Sequence, residues 1–125
     1  MKLKDVMRKV VVSEPGVSVK KAAEIMSSKN ISSLIIIEKE KMIGIVTEKD
    51  ITKSFNKSGN KVSSIMSKNV KSTDIDTSVD NAATIMAEHN IRILPITEKG
   101  KLVGVIDAKD LIEHSDVLNE NFFLD

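Results

Sequence analysis

Apolar residues fall at Val19, Ala22, Ala23 and Met26, three and four positions apart, with charged and polar residues between them. This is the period of an amphipathic helix. The same spacing returns at Val79, Ala82, Ala83 and Met86. Ser18 and Ser78 stand where helix N-caps belong, each with a hydroxyl able to take an orphan amide of the first turn. Asn30 and Asn90 mark the exits, since Asn tolerates the left-handed backbone of a helix end. Denser apolar stretches follow and predict strands at residues 33–37 and 42–46, then at 93–97 and 102–106. The polar stretches at 38–41 and 98–101 have the length of hairpin turns. Thr47 and Asp107 close the last strands, and second helices are predicted at about 48–55 and 108–118. A short extended stretch precedes the first helix of each set, at 10–12 and 69–71.

The pattern is thus a β-α-β-β-α unit used twice, which predicts an α+β fold with pseudo-twofold symmetry. Between residues 18–51 and 78–111 the register holds at sixty positions, and roughly half of the positions are identical. Each copy is preceded by a lead, Leu3-Lys4-Asp5-Val6-Met7 and Val62-Ser63-Ser64-Ile65-Met66, matching at a spacing of 59. The expected division is one repeat at 1–58 and a second at 59–125, with Ser58-Gly59-Asn60 as connector. A period this long seen only twice is not a solenoid. Two facing copies create clefts between them, the usual place for a ligand.

Composition narrows the function. With no Trp or Tyr and three Phe, the core must be aliphatic, and stacking platforms for single-stranded nucleic acid are excluded. A net charge of +1 argues against a phosphate-backbone binder. The charge is unevenly spread, from +5 in residues 1–60 (12 Lys/Arg, 7 Asp/Glu) to −4 in residues 61–125 (7 against 11). That is either drift between surfaces or complementary halves that orient packing. Absence of cysteine removes disulfides, thiolate metal sites and cysteine nucleophiles. The longest aliphatic run, residues 34–37, is too short to span a membrane, and the amino terminus lacks a signal-peptide core, so a cytoplasmic protein is expected. His89 and His114 have no partner at metal-ligand spacing, the six methionines read as core filling, and no acid/base pair or nucleophile motif points to catalysis.

The candidate chemistry lies in Gly44-Ile45-Val46-Thr47-Glu48-Lys49-Asp50, which carries a strand directly into a helix. Helix amino ends attract anions. A Thr hydroxyl there can meet a phosphate, and a carboxylate one turn later accepts the two hydrogen bonds of a vicinal diol such as ribose. The same spacing also makes a plain capping box, and spacing by itself leaves both readings open.

The whole layout, from Val-Met or Ile-Met through Ser-Val-x-x-Ala-Ala to the Gly…Thr-x-x-Asp segment, resembles the cystathionine-β-synthase (CBS) domain, two of which in tandem form a Bateman module. The resemblance covers nearly all of residues 1–118. It implies clefts that bind adenine-containing ligands (AMP, ADP, ATP or S-adenosylmethionine), with sugar-binding carboxylates at Asp50 and Asp110 and a phosphate-facing hydroxyl at Thr47. It also implies that Arg92, which replaces Ser32 of the first copy, reaches the phosphate of the site built by the other repeat; the alternative is a surface Arg that snorkels. The expected main site is then Thr47, Asp50 and Arg92, with Ser13 and Pro15 near the adenine. The second comprises Asp110, Asp107, Thr73 and Ser32. Asp107 departs from the family pattern, because a carboxylate cannot donate to a phosphate and repels it; a lost charge-assisted bond costs about 1.5–3 kcal/mol. The second site is therefore expected to be weaker.

The resemblance further implies a non-catalytic regulatory module, a homodimer formed through helices, and an unidentified effector protein that reads the ligand-dependent arrangement. The alternative is a dimerisation or interaction module with vestigial ligand sites. Phe122-Phe123-Leu124, three adjacent apolar residues in a chain poor in aromatics, form either a docking patch or a segment buried on the module itself.

Overall fold

The computed structural model describes residues 2–114; Phe122-Phe123-Leu124 lies outside them. In chain order the elements are α1 (Leu3–Val6), β1 (Val12–Ser13), α2 (Val19–Lys29), β2 (Ser33–Glu38), β3 (Lys41–Thr47), α3 (Glu48–Lys53), β4 (Thr73–Asp74), α4 (Val79–Glu88), β5 (Ile93–Glu98), β6 (Lys101–Asp107) and α5 (Ala108–His114). Single 3-10 turns occupy Phe55–Lys57 and Val62–Ser64. The architecture is α+β, with two three-stranded sheets ordered β1-β2-β3 and β4-β5-β6. In each, the first pair is parallel and the second antiparallel.

Local chemistry explains these elements. The Ser18 hydroxyl accepts from the Lys21 amide at 3.0 Å, and Ser78 takes the Asn81 amide at the same distance. Asn30 ends α2 in the left-handed region (φ 54°), and Asn90 adopts φ 52° just beyond α4. The hairpin turns have positive φ at both central residues, Lys39 and Glu40 in one and Lys99 and Gly100 in the other, the requirement of a two-residue turn that follows strand twist. Both hairpins also carry a bulge, where Ile43 or Val103 is the extra residue.

The first strand of each copy falls later than the hydropathy pattern predicts, at Val12–Ser13 rather than 10–12 and at Thr73–Asp74 rather than 69–71. In the first sheet the Ile35 amide donates to the Val11 carbonyl at 3.3 Å. Pro95 replaces Ile35 in the second copy and has no N–H to donate. The parallel ladder there begins at Thr73↔Ile96 and runs on to an Ile75 amide bond with the Thr97 carbonyl. The second helix of the first copy ends at Lys53, short of the expected 55, and continues as the 3-10 turn.

The chain divides into two compact units that cut across the sequence repeats. One comprises residues 11–70, the other residues 1–10 together with 71 onward. The leads are exchanged: the amino-terminal lead belongs to the unit of the second copy, and the 61–67 lead to the unit of the first. Arg8 pairs with Val105 of β6 (amide to carbonyl 2.8 Å, return bond 3.1 Å), and Ser67 pairs with Ile45 of β3 (2.9 and 3.0 Å). Leu3 and Val6 are buried with Ala82, Met86, Leu94, Ile96, Ile106 and Leu111. Val62 is buried in the other core with Ala22, Met26, Leu34, Ile36 and Val46.

The methionine ending each lead lies over a glycine. A Cβ on Gly104 would sit 2.7 Å from Met7 Sδ and 3.1 Å from the Arg8 carbonyl oxygen, and one on Gly44 would collide with Met66. At Gly104, where the neighbour includes lead backbone, only glycine lets the lead lie this close to the strand.

Candidate functional site

The sequence-predicted residues divide between the units. Ser13, Pro15, Ser32, Thr47 and Asp50 belong to the first, and Thr73, Arg92, Asp107 and Asp110 to the second. Within the first, Thr47 ends β3 and caps α3. Its amide and its hydroxyl both donate to Asp50 Oδ2, at 2.9 and 3.0 Å, and the Asp50 amide returns a bond to the hydroxyl at 3.4 Å. The pair forms the reciprocal capping box that its spacing allows, and it leaves Asp50 Oδ1 without a hydrogen bond among the described residues. Both side chains are half-buried, and the Ser32 carbonyl adjoins them by accepting from the Glu48 amide at 3.1 Å. Ser13 and Pro15 are half-buried, Ser13 at its pairing with Ile36 and Pro15 with its carbonyl accepting from the Ser63 amide at 3.2 Å.

The corresponding junction in the other unit is organised by a residue the sequence pattern did not single out. Arg8 Nη2 donates to Asp110 Oδ1 at 2.6 Å, with the Arg8 side chain 44% exposed and that of Asp110 only 5%. Asp110 Oδ2 accepts from the Asp107 amide at 3.4 Å, and Asp107 Oδ1 accepts from the Lys109 amide at 3.0 Å. Asp107 and Asp110 are both buried. The hydrogen bond to Asp110 holds the Arg8 guanidinium above its ordinary pKa; burial opposes this, and the charges of Asp110, Asp107 and Glu113 add to it. Because the lead is exchanged, Arg8 comes from the start of the chain and lies 102 positions from its partner. Its counterpart by position is Ser67, opposite Ile45 as Arg8 is opposite Val105.

A signal for Arg8 was present. It is one of only two arginines among 19 basic residues, Arg92 being the other, and Arg is suited to forked pairing with carboxylates. Arg92 itself is exposed, with its carbonyl accepting from the Ala108 amide at 2.7 Å and its side chain unpaired among the described residues. The Thr73 hydroxyl shares a hydrogen bond of 2.7 Å with that of Thr77.

Two further features bound the chemistry. In the unit of residues 11–70, α2 and α3 border an open apolar groove of about 470 Å³, lined by Val19, Lys20, Ala23, Ile51 and Phe55 among others, and Phe55 is 84% exposed. Among the described residues no group of three His, Cys, Asp or Glu side chains could hold a metal, and no helix is long and apolar enough to cross a membrane.

The CBS domain family model matches this chain twice, at residues 3–57 and 62–116. The chain belongs to the CBS domain family. Its two CBS domains are in tandem, and the family matches follow the sequence repeat while the compact units exchange leads between them. An uncharacterized 17.7 kDa protein of Acidianus ambivalens is 37% identical over 107 residues, covering 82% of this chain and 65% of the relative. Inosine-5'-monophosphate dehydrogenase of Thermoplasma acidophilum is 33% identical over 108 residues, 86% of this chain but 22% of the enzyme. This chain thus spans about two thirds of one relative and about a fifth of the other. Among solved structures, the CBS domain pair of protein MJ0100, in complex with 5'-methylthioadenosine and S-adenosyl-L-methionine, superimposes with a TM-score of 0.85 at 27% identity. It covers 97% of this chain and 98% of that one. CBS pairs of this kind fit a regulatory ligand-binding role.

Proposed function

We propose that this CBS pair is a non-catalytic cytoplasmic sensor of an adenine-containing small molecule (AMP, ADP, ATP or S-adenosylmethionine). It reports occupancy to a partner protein through a change in the arrangement of its repeats or of a homodimer. The observation that carries the reading is the Thr47–Asp50 pair: a carboxylate at a strand-to-helix junction with one oxygen open to a sugar diol, next to a hydroxyl that can turn to a phosphate. Arg92 is its proposed phosphate partner, with Ser13 and Pro15 beside the adenine. The adenosyl compounds named with the MJ0100 pair support the ligand class. A ligand can bias the protein only by its differential affinity for two arrangements, so the output is an arrangement presented to an effector.

The test is thermal denaturation with AMP, ATP and S-adenosylmethionine. Ligand at a hundred times its dissociation constant stabilises the folded chain by about 2.7 kcal/mol. A melting point indifferent to all three would overturn the sensor in favour of the second reading, an interaction module with vestigial sites. What favours that second reading is the groove beside the exposed Phe55, a surface suited to pairing helices with another copy.

A further inference from the structure

We infer that Arg8 is a side-chain stopper on the second ligand site, occupying the carboxylate that a nucleoside sugar would need and thereby setting that site's specificity. The inference rests on the adenosyl reading of Asp110. Two sugar hydroxyls must donate to this carboxylate, and both of its oxygens are already engaged, Oδ1 by the Arg8 guanidinium at 2.6 Å and Oδ2 by the Asp107 amide at 3.4 Å. With the Asp110 side chain 5% exposed, a diol must displace the guanidinium to reach it. The junction at Asp50 has Ser67 in the equivalent lead position, a hydroxyl in place of a guanidinium.

The stopper can leave without unfolding anything. Arg8 is fixed through its backbone, by the pair of bonds to Val105, whereas its side chain is 44% exposed and can turn into water. What it leaves behind selects the ligand. Asp107, Asp110 and Glu113 all act on Arg8 electrostatically, and with the guanidinium withdrawn these carboxylates lose that positive charge. A phosphate is repelled there, and a neutral nucleoside is not. The second site therefore takes the uncharged class of adenosyl compound, and only in competition with Arg8.

Isothermal titration with 5'-methylthioadenosine as the neutral probe and AMP as the anionic one tests this. Wild-type protein is expected to bind one tight equivalent, lost in Asp50→Ala. Arg8→Gln gains a second equivalent of 5'-methylthioadenosine, bound about tenfold or more tighter than in wild type because a charge-assisted bond no longer opposes it. It gains no second equivalent of AMP, and Arg8→Gln/Asp110→Ala loses the gain. Unchanged stoichiometry and affinity in Arg8→Gln overturns the stopper while leaving the sensor intact. Failure of every protein to bind either probe overturns the stopper, while the melting points with AMP, ATP and S-adenosylmethionine decide the sensor. A second measurement needs no variant: the two arginines give two side-chain Nε–H NMR signals, and that of Arg8 must shift as excess 5'-methylthioadenosine fills the second site. Filling of that site with the Arg8 signal unmoved overturns the proposal.

Discussion

The β3–α3 and β6–α5 junctions each carry a strand directly into a helix with an acidic residue in its first turn, yet their carboxylates are committed differently. Asp50 closes a local capping box with a residue three positions away, whereas Asp110 is the buried partner of an arginine from the start of the chain. Duplication supplies the same backbone twice. Two substitutions, Thr47 against Asp107 and Ser67 against Arg8, then give its two carboxylates different partners. Sequence identity between repeats is thus a guide to backbone and a poor guide to what each of two equivalent carboxylates pairs with.

The comparison is most severely tested at the leads. Leu3 and Val62 hold corresponding lead positions and both are fully buried. Leu3→Ala is expected to cost about 2–5 kcal/mol. Val62→Ala should cost less, by about the 0.8 kcal/mol of one buried methylene. Urea denaturation measures both, and a Leu3→Ala midpoint equal to wild type would contradict the packing of the first lead.

Ligand binding separates the junctions next. Asp50→Ala is expected to abolish a ligand-induced stabilisation of about 2.7 kcal/mol, and Asp110→Ala to leave it nearly intact. Equal losses in the two variants would show the sites to be equivalent.

The glycines sharpen the contrast further. A methyl on Gly44 meets only the Met66 side chain, which can turn aside, whereas on Gly104 it also meets the Arg8 backbone carbonyl. Gly104→Ala should therefore cost about 1–3 kcal/mol and Gly44→Ala less, read from their melting curves. The ion pair gives an effect of similar size. Arg8→Ala strands a buried carboxylate and should cost about 1–3 kcal/mol, below the 3–5 kcal/mol of a fully buried pair because Arg8 is half exposed. Asp110→Ala leaves an arginine that water can solvate, and Ser67→Ala should stay within about 0.5 kcal/mol. The smallest expected effect lies at the hairpin turns, where Glu40 holds the positive φ that Gly100 holds in the second copy. Relief of the left-handed strain by Glu40→Gly should raise stability by up to about 1 kcal/mol, and an unchanged melting point would deny that the strain is there.

Helix periodicity, the two serine caps and the alternation of the hairpins made the β-α-β-β-α unit legible before any coordinates, because those signals are local. The assignment of each lead to its unit was not legible. Leu3 and Val62 present the same apolar pattern, and nothing local distinguishes packing on one's own repeat from packing on the other. Relative to β1, β4 begins one ladder position later because Pro95 has no amide to donate, a fact of ladder chemistry that hydropathy does not register. Thr47 and Asp50 were singled out by their spacing, which allowed the capping box they form and a ligand site alike. Arg8 escaped because its partner lies 102 positions away, beyond the reach of any spacing rule.

The exchange of leads also bears on how such a protein can be divided or inherited. A cut at the boundary of the sequence repeat, after residue 58, severs each compact unit from part of its own core: one fragment keeps Leu3 and Val6 without their cluster, and the other keeps Val62 without its own. The two pieces expressed as separate chains would restore both cores by trading leads, as a heterodimer recognisable by co-elution. A solitary repeat that keeps this exchange must satisfy its lead against another copy of itself. The duplicated gene writes into one polypeptide an association that a single repeat would have had to find by collision.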